Sequence, residues 1–172
     1  MNDRSEPASD LSRAQSALLV LRTFLGIVFF TNGLAKVFGF HTLTIGPWKT
    51  VLLNRGDALG IQSGNSASAP GFLHDLGVLV VTYWDVFQWL LTFAELAIGI
   101  GLILGLLSWI ALVGGLLLTL TNFAFSLGAE VWAFDYLIEP VLFIVLLIAP
   151  PLPGLDSRLP WGRRRALPSI AT

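Results

Sequence analysis

The chain has 172 residues, 55% of them hydrophobic and only 12% charged, against a usual charged share of about 25%. So few charges cannot cover the surface of a soluble domain of this size, and with a net charge of −1 the composition points to a membrane protein and excludes a disordered chain or a nucleic-acid binder. Cysteine is absent, which excludes disulfides, thiolate metal sites and iron–sulfur clusters.

The first dozen residues read as a solvated tail. A membrane crossing needs about 20 mostly apolar residues, and the first candidate is 17–38, interrupted by Arg22 and ended by Lys36. The preceding segment carries Asp3, Arg4, Glu6, Asp10 and Arg13, so a net basic n-region is missing, and no A-x-A-like cleavage site follows. A retained helix is therefore expected, not a cleaved signal peptide. Arg22, Gly26, Phe29, Gly33 and Lys36 stand at offsets 0, 4, 7, 11 and 14, one stripe of a helix turning about 100° per residue. Its glycines invite a neighbouring helix to approach closely.

Residues 39–83 form the one long connection, expected on the outer side. Its middle, from Gly60 to Gly71, is small and polar and reads as mobile. Its apolar flanks, 50–53 and 72–81, are expected to lie on the bilayer or over the bundle mouth.

Residues 86–127 are an apolar run about twice one crossing in which Glu95 is the only charge. It must fold back, and the break is expected near Gly105 to Trp109, giving spans 86–107 and 108–127. The last span is 133–149, with Asp135, Glu139 and Pro140 inside it and Pro150-Pro151 ending it. Residues 152–172 read as a second solvated tail.

The expectation is thus an all-α, single-domain, integral membrane four-helix bundle with one long outer loop between helices 1 and 2. Arg158, Arg163, Arg164 and Arg165 mark the C-terminal tail as cytoplasmic by the positive-inside rule, and an even number of spans places both termini there. Trp84, Trp89, Trp132, Tyr83 and Tyr136 fall near the expected outer interface, where amphipathic rings anchor helices.

Charge inside a span costs about 2.5–3.5 kcal/mol on insertion scales, so each intramembrane charge calls for an explanation. Glu95 lies too deep to snorkel and is either protonated or paired. Arg22 or Lys36 on the span-one stripe is its expected partner, with Arg22–Glu95 as a structural charge pair. Counting depth from the outer face brings Asn32, Lys36, Glu95, Asn122, Tyr136 and Glu139 to similar height. Two readings of that convergence stand side by side. One is a pocket for a quinone headgroup, with Asn32, Lys36, Asn122 and Tyr136 binding it and Glu95 and Glu139 as the catalytic proton carriers. The other is a plug of mutually satisfied side chains. His41 and His74 both lie in the outer loop, so a haem held by two histidines across the bundle is excluded, and no metal-site motif occurs.

Leu21-Arg22, Gly26, Phe29-Phe30, Asn32-Gly33 and Lys36 resemble the first-helix pattern of the DoxX family. Phe93-Ala94-Glu95 through Gly99 to Leu104-Gly105-Leu106 resembles its second-helix motif, a glutamate, a glycine four residues on and a closing L-G-L. The long loop, and Trp132 to Tyr136, are similar to the DoxD branch. The turn around Ser108 departs from the family pattern in lacking a basic residue. The resemblance covers residues 18–149 and implies a multi-pass protein of a prokaryotic cytoplasmic membrane. It further implies a membrane subunit of a thiosulfate:quinone oxidoreductase, a possible thiosulfate dehydrogenase (quinone), with quinone as cofactor and a second subunit or electron-donor protein as partner. The alternative from a different class is a non-catalytic membrane anchor or scaffold.

Overall fold

A computed structural model describes residues 6–159; of residues 6–11 and Ala133 it describes the backbone alone. The chain is mostly helical: α1 (Glu6–Phe38), a two-stranded hairpin of β1 (Thr42–Ile45) and β2 (Trp48–Val51), α2 (Arg55–Ser68), α3 (Phe72–Thr82), α4 (Trp84–Leu104), α5 (Ser108–Ser126) and α6 (Ala133–Ile148). Among the described residues, three helical stretches, Ser12–Phe38, Trp84–Leu104 and Ser108–Ser126, are long and apolar enough to cross a membrane. The 16-residue α6 is shorter than a full crossing.

α1, α4, α5 and α6 share one core. Leu25 and Phe29 of α1 meet Ile98 and Leu102 of α4, Ala111 and Leu112 of α5, and Phe143 and Leu146 of α6. Phe29 and Phe143 touch edge to face, with ring centroids 5.4 Å apart. Glycines set the closeness of the α1–α4 seam: a Cβ on Gly99 would stand 2.5 Å from the backbone nitrogen of Phe30. At such a contact only the smallest residue lets two backbones meet.

The break between α4 and α5 falls at residues 105–107. Gly105 closes α4 in the left-handed region (φ +62°) and donates its N–H to the Gly101 carbonyl, the usual glycine helix stop. Leu107 is also left-handed (φ +49°), a costly conformation for a branched side chain. The C-terminal segment holds it there. Asp156 accepts from the backbone N–H groups of Leu107 and Ser108, each at 2.8 Å, and its own N–H donates to the Gly105 carbonyl at 2.9 Å. Residues 152–159, expected as solvated tail, therefore include a folded 3-10 turn (Leu155–Arg158) docked on the α4–α5 turn. Arg163, Arg164 and Arg165, on which the orientation rests, lie outside the described residues, as do residues 1–5.

The long connection is also corrected. It is not a loop with a mobile middle but a folded cap at the bundle end opposite the start of α1 and the Leu155–Arg158 turn. β1 and β2 pair antiparallel around Gly46 and Pro47, so the chain is not purely α-helical. Threonine and valine in the strands favour extended backbone. A two-stranded hairpin is marginal alone, and three bonds hold this one: Leu52 N–H to the His41 carbonyl at 2.8 Å, Leu53 N–H to Asn32 Oδ1 at 3.1 Å, and His41 Nδ1 with Asp57 Oδ2 at 2.6 Å. The small, polar stretch from Gly60 to Gly71 falls mostly in α2, which covers it as far as Ser68. The helix starts at a reciprocal capping box, Asn54 Oδ1 accepting from Gly56 and Asp57 and Asp57 Oδ2 accepting from Asn54 N–H. That pairing satisfies backbone donors the first helical turn leaves open. Its alanines, glycines and serines let neighbours approach. Ser66 packs on Gly77 of α3, and Arg55 lies over the Trp89 ring of α4, 4.7 Å from its centroid.

Candidate functional site

The cap end of the bundle gathers three charges of the spans, Lys36, Glu95 and Glu139. Lys36, in the last turn of α1, reaches Glu95 of α4 with Nζ 2.9 Å from Oε1 and 2.8 Å from Oε2. The side chains are 1% and 12% exposed, so this is a buried, two-pronged ion pair. It exists because Gly33 and Gly99 bring α1 and α4 close enough for a lysine from one to lie across a carboxylate from the other.

The expected Arg22–Glu95 pair is not formed. Arg22 and Lys36 share a helix face but are 14 residues apart, about 21 Å along the axis at 1.5 Å per residue. Arg22 is 3% exposed at the opposite end of the bundle. There its Nη2 donates to the Pro153 carbonyl at 2.9 Å, within coulombic range of Asp156, and its Nε has no partner among the described residues. The stripe was legible in the sequence, but the register between α1 and α4 was not.

Of the other residues placed at this depth, Glu139 of α6 is half-buried and within coulombic range of Glu95. Asn32 is half-buried and its Oδ1 accepts from Leu53 N–H. Tyr136 is half-buried, and its hydroxyl accepts from Asn65 Nδ2 at 3.2 Å. Asn122 corrects the expectation: it is exposed on α5, not turned into the group. The structure thus brings together Lys36 and Glu95, with Glu139 in coulombic range of Glu95, and commits Asn32 and Tyr136 to holding the cap.

Two residues missed by the sequence reading complete this end. Asp57 lies within coulombic range of Lys36, and its bond to His41, with further help from Asn54 N–H, holds its carboxyl below the ordinary carboxylate range. Asn65, buried in α2, ties the cap to α6. The Asn54-x-x-Asp57 spacing is a capping signature that marks a helix start and was the signal for α2. Among the described residues, no cluster of three or more His, Asp or Glu side chains is placed to hold a metal ion.

Comparison of the chain with protein-family models, with curated proteins and with solved structures finds no match.

Proposed function

We propose that the chain is the integral membrane subunit of a quinone-linked oxidoreductase of DoxX/DoxD type, crossing a prokaryotic cytoplasmic membrane four times with both termini in the cytoplasm. The α1 and α4 motifs support the family, and thiosulfate as electron source rests on that resemblance alone. The fourth crossing is α6. Its 16 residues extend about 24 Å, short of a hydrocarbon layer of about 30 Å, a mismatch that local thinning accommodates at modest cost.

The observation that carries the reading is the Lys36–Glu95 pair with a second carboxylate, Glu139, near it. Ionisable groups retained within membrane helices are costly and mark functional sites by default. A quinone ring seated beside α6 would place one carbonyl oxygen toward Lys36, which donates to it. Glu95 and Glu139 would pass the two protons that quinone takes up with two electrons from a donor oxidised on the partner protein. Lys36 orients, Glu95 and Glu139 hold and move protons, and Asn32 and Tyr136 fix the cap over the site.

The second reading, a non-catalytic anchor or scaffold, is favoured by the saturation of the group: Asn32, Lys36 and Tyr136 already have protein partners. Purification in mild detergent, followed by mass spectrometry of bound quinone and co-purifying protein, separates the two. Quinone should accompany the parent and the Asn122→Leu variant and be lost from Glu139→Gln. Quinone absent from the parent, or equal in all three, leaves the anchor.

A further inference from the structure

The cap exposes an apolar stripe that runs in register with one on α4. Phe72, Leu76 and Leu79 of α3 are exposed, and Tyr83 follows at the junction between the helices. The spacing of four, three and four residues then continues on α4 through Val86, Leu90 and Phe93, all exposed, and on to Leu104. Within each helix such spacing keeps the side chains on one face. α4 is one of the helices long and apolar enough to cross a membrane, and its 21 residues span about 30 Å, the thickness of the hydrocarbon layer. α3 therefore begins where that layer ends. Continued straight, it would carry Phe72, Leu76 and Leu79 about 16 Å into water. It is not continued straight, because Tyr83 leaves helical geometry (φ −102°, ψ 33°) and separates the two helices.

The other side of α3 is covered. Gly77 packs on Ser66 of α2, and α2 turns Gly60, Ser63 and Gly64 outward. The cap is thus layered, with a small and polar helix on one side of α3 and an apolar stripe on the other. Asp75 and Thr82, exposed, flank the stripe where an interfacial helix keeps its polar groups.

We propose that α3 is a membrane-interfacial helix, docked on lipid through Phe72, Leu76 and Leu79, with α2 on its water side. Lipid is favoured over a second copy of the chain by the residues themselves. Helix pairs in membranes associate through small residues, and this stripe offers large ones, the glycines of α3 and α4 being already spent within the chain, Gly77 on α2, Gly99 on α1 and Gly101 on α5.

The chain has no cysteine, so single spin labels at Leu76→Cys, Leu79→Cys and Asp75→Cys, with Leu90→Cys as the α4 reference, test this in the full-length protein in phosphatidylcholine–phosphatidylglycerol vesicles. All four sites are exposed, so each variant leaves the core intact. Collisions with oxygen, which concentrates in lipid, should exceed those with a water-soluble nickel chelate at Leu90, Leu76 and Leu79, and the order should reverse at Asp75. Nickel dominating at Leu79 while oxygen dominates at Leu90 would place α3 in water and overturn the proposal. Protection from both colliders with spin–spin broadening would mean a second copy covers it, and oxygen failing to dominate at Leu90 would remove the lipid-facing stripe it continues; either result also overturns it.

Discussion

A lysine 1% exposed against a carboxylate 12% exposed is the feature on which the cap end turns. Removing one member of a buried pair leaves the other charge uncompensated, at a cost of about 3–5 kcal/mol, whereas replacing both by apolar groups of similar volume is near neutral. Lys36→Met alone should therefore lower thermal stability in detergent sharply, and Lys36→Met with Glu95→Leu should recover most of the loss. Additive losses in the double variant would mean that the two residues do not act as a pair. Asp57 gives a second residue-scale prediction. Its carboxyl sits below the ordinary range because His41 bonds to it, so the charged form is favoured in the folded state. The contribution is present above the unfolded carboxylate pKa of about 3.9 and is lost as pH falls through the lower, folded value. Proteolysis within residues 41–57 should accelerate in strongly acidic buffer, and Asp57→Asn should show fast cleavage without that acid dependence.

At the scale of elements, two contacts decide how helices meet. A methyl group at Gly99 would press on the Phe30 backbone, which cannot yield as a side chain tip can. Overpacking of this kind costs about 1–3 kcal/mol, so Gly99→Ala should lower the unfolding midpoint and weaken the Lys36–Glu95 contact with it. Asp156 takes the place of a helix cap for α5 from 48 residues away in sequence. Asp156→Ala should cost about 0.5–2 kcal/mol, the range for loss of a cap, and raise amide exchange at Leu107 and Ser108; unchanged exchange there would show that the docked segment does not hold the turn. The same elements show what a sequence discloses. The hairpin break at residues 105–107 was legible because Gly105 ends a run too long for one crossing. The glycine stripe of α1 was legible because its period is helical. The docking of residues 152–159 was not, since a proline-rich, polar segment after the last apolar run carries no sign of the backbone groups it will satisfy. α2 has little apolar content and hence no apolar period, so its sign in the sequence is the Asn54–Asp57 capping spacing alone.

For the whole molecule, the charges separate by end: Lys36, Glu95 and Glu139 at the cap end, Arg22 with Asp156 at the other. Alternating span direction predicted that the outer-half residues would share a depth. Which of them would touch was beyond the sequence, because a fraction of a turn of helix rotation decides whether a residue such as Asn122 faces the bundle or its surroundings. With four crossings, reporter enzymes fused after Thr172 and inserted between Gly46 and Pro47 should report opposite sides of the membrane, and the same side would refute the topology. The proposed function requires a quinone bound beside Lys36, Glu95 and Glu139. It is tested most directly by irradiating the protein in membranes with a photoreactive quinone and mapping the modified peptides. Labelling should concentrate around residues 32–36, 91–95 and 136–140 and be suppressed by excess unmodified quinone. Labelling spread over outward-facing positions such as Phe24, Ile110 and Leu117, and unaffected by competitor, would contradict it.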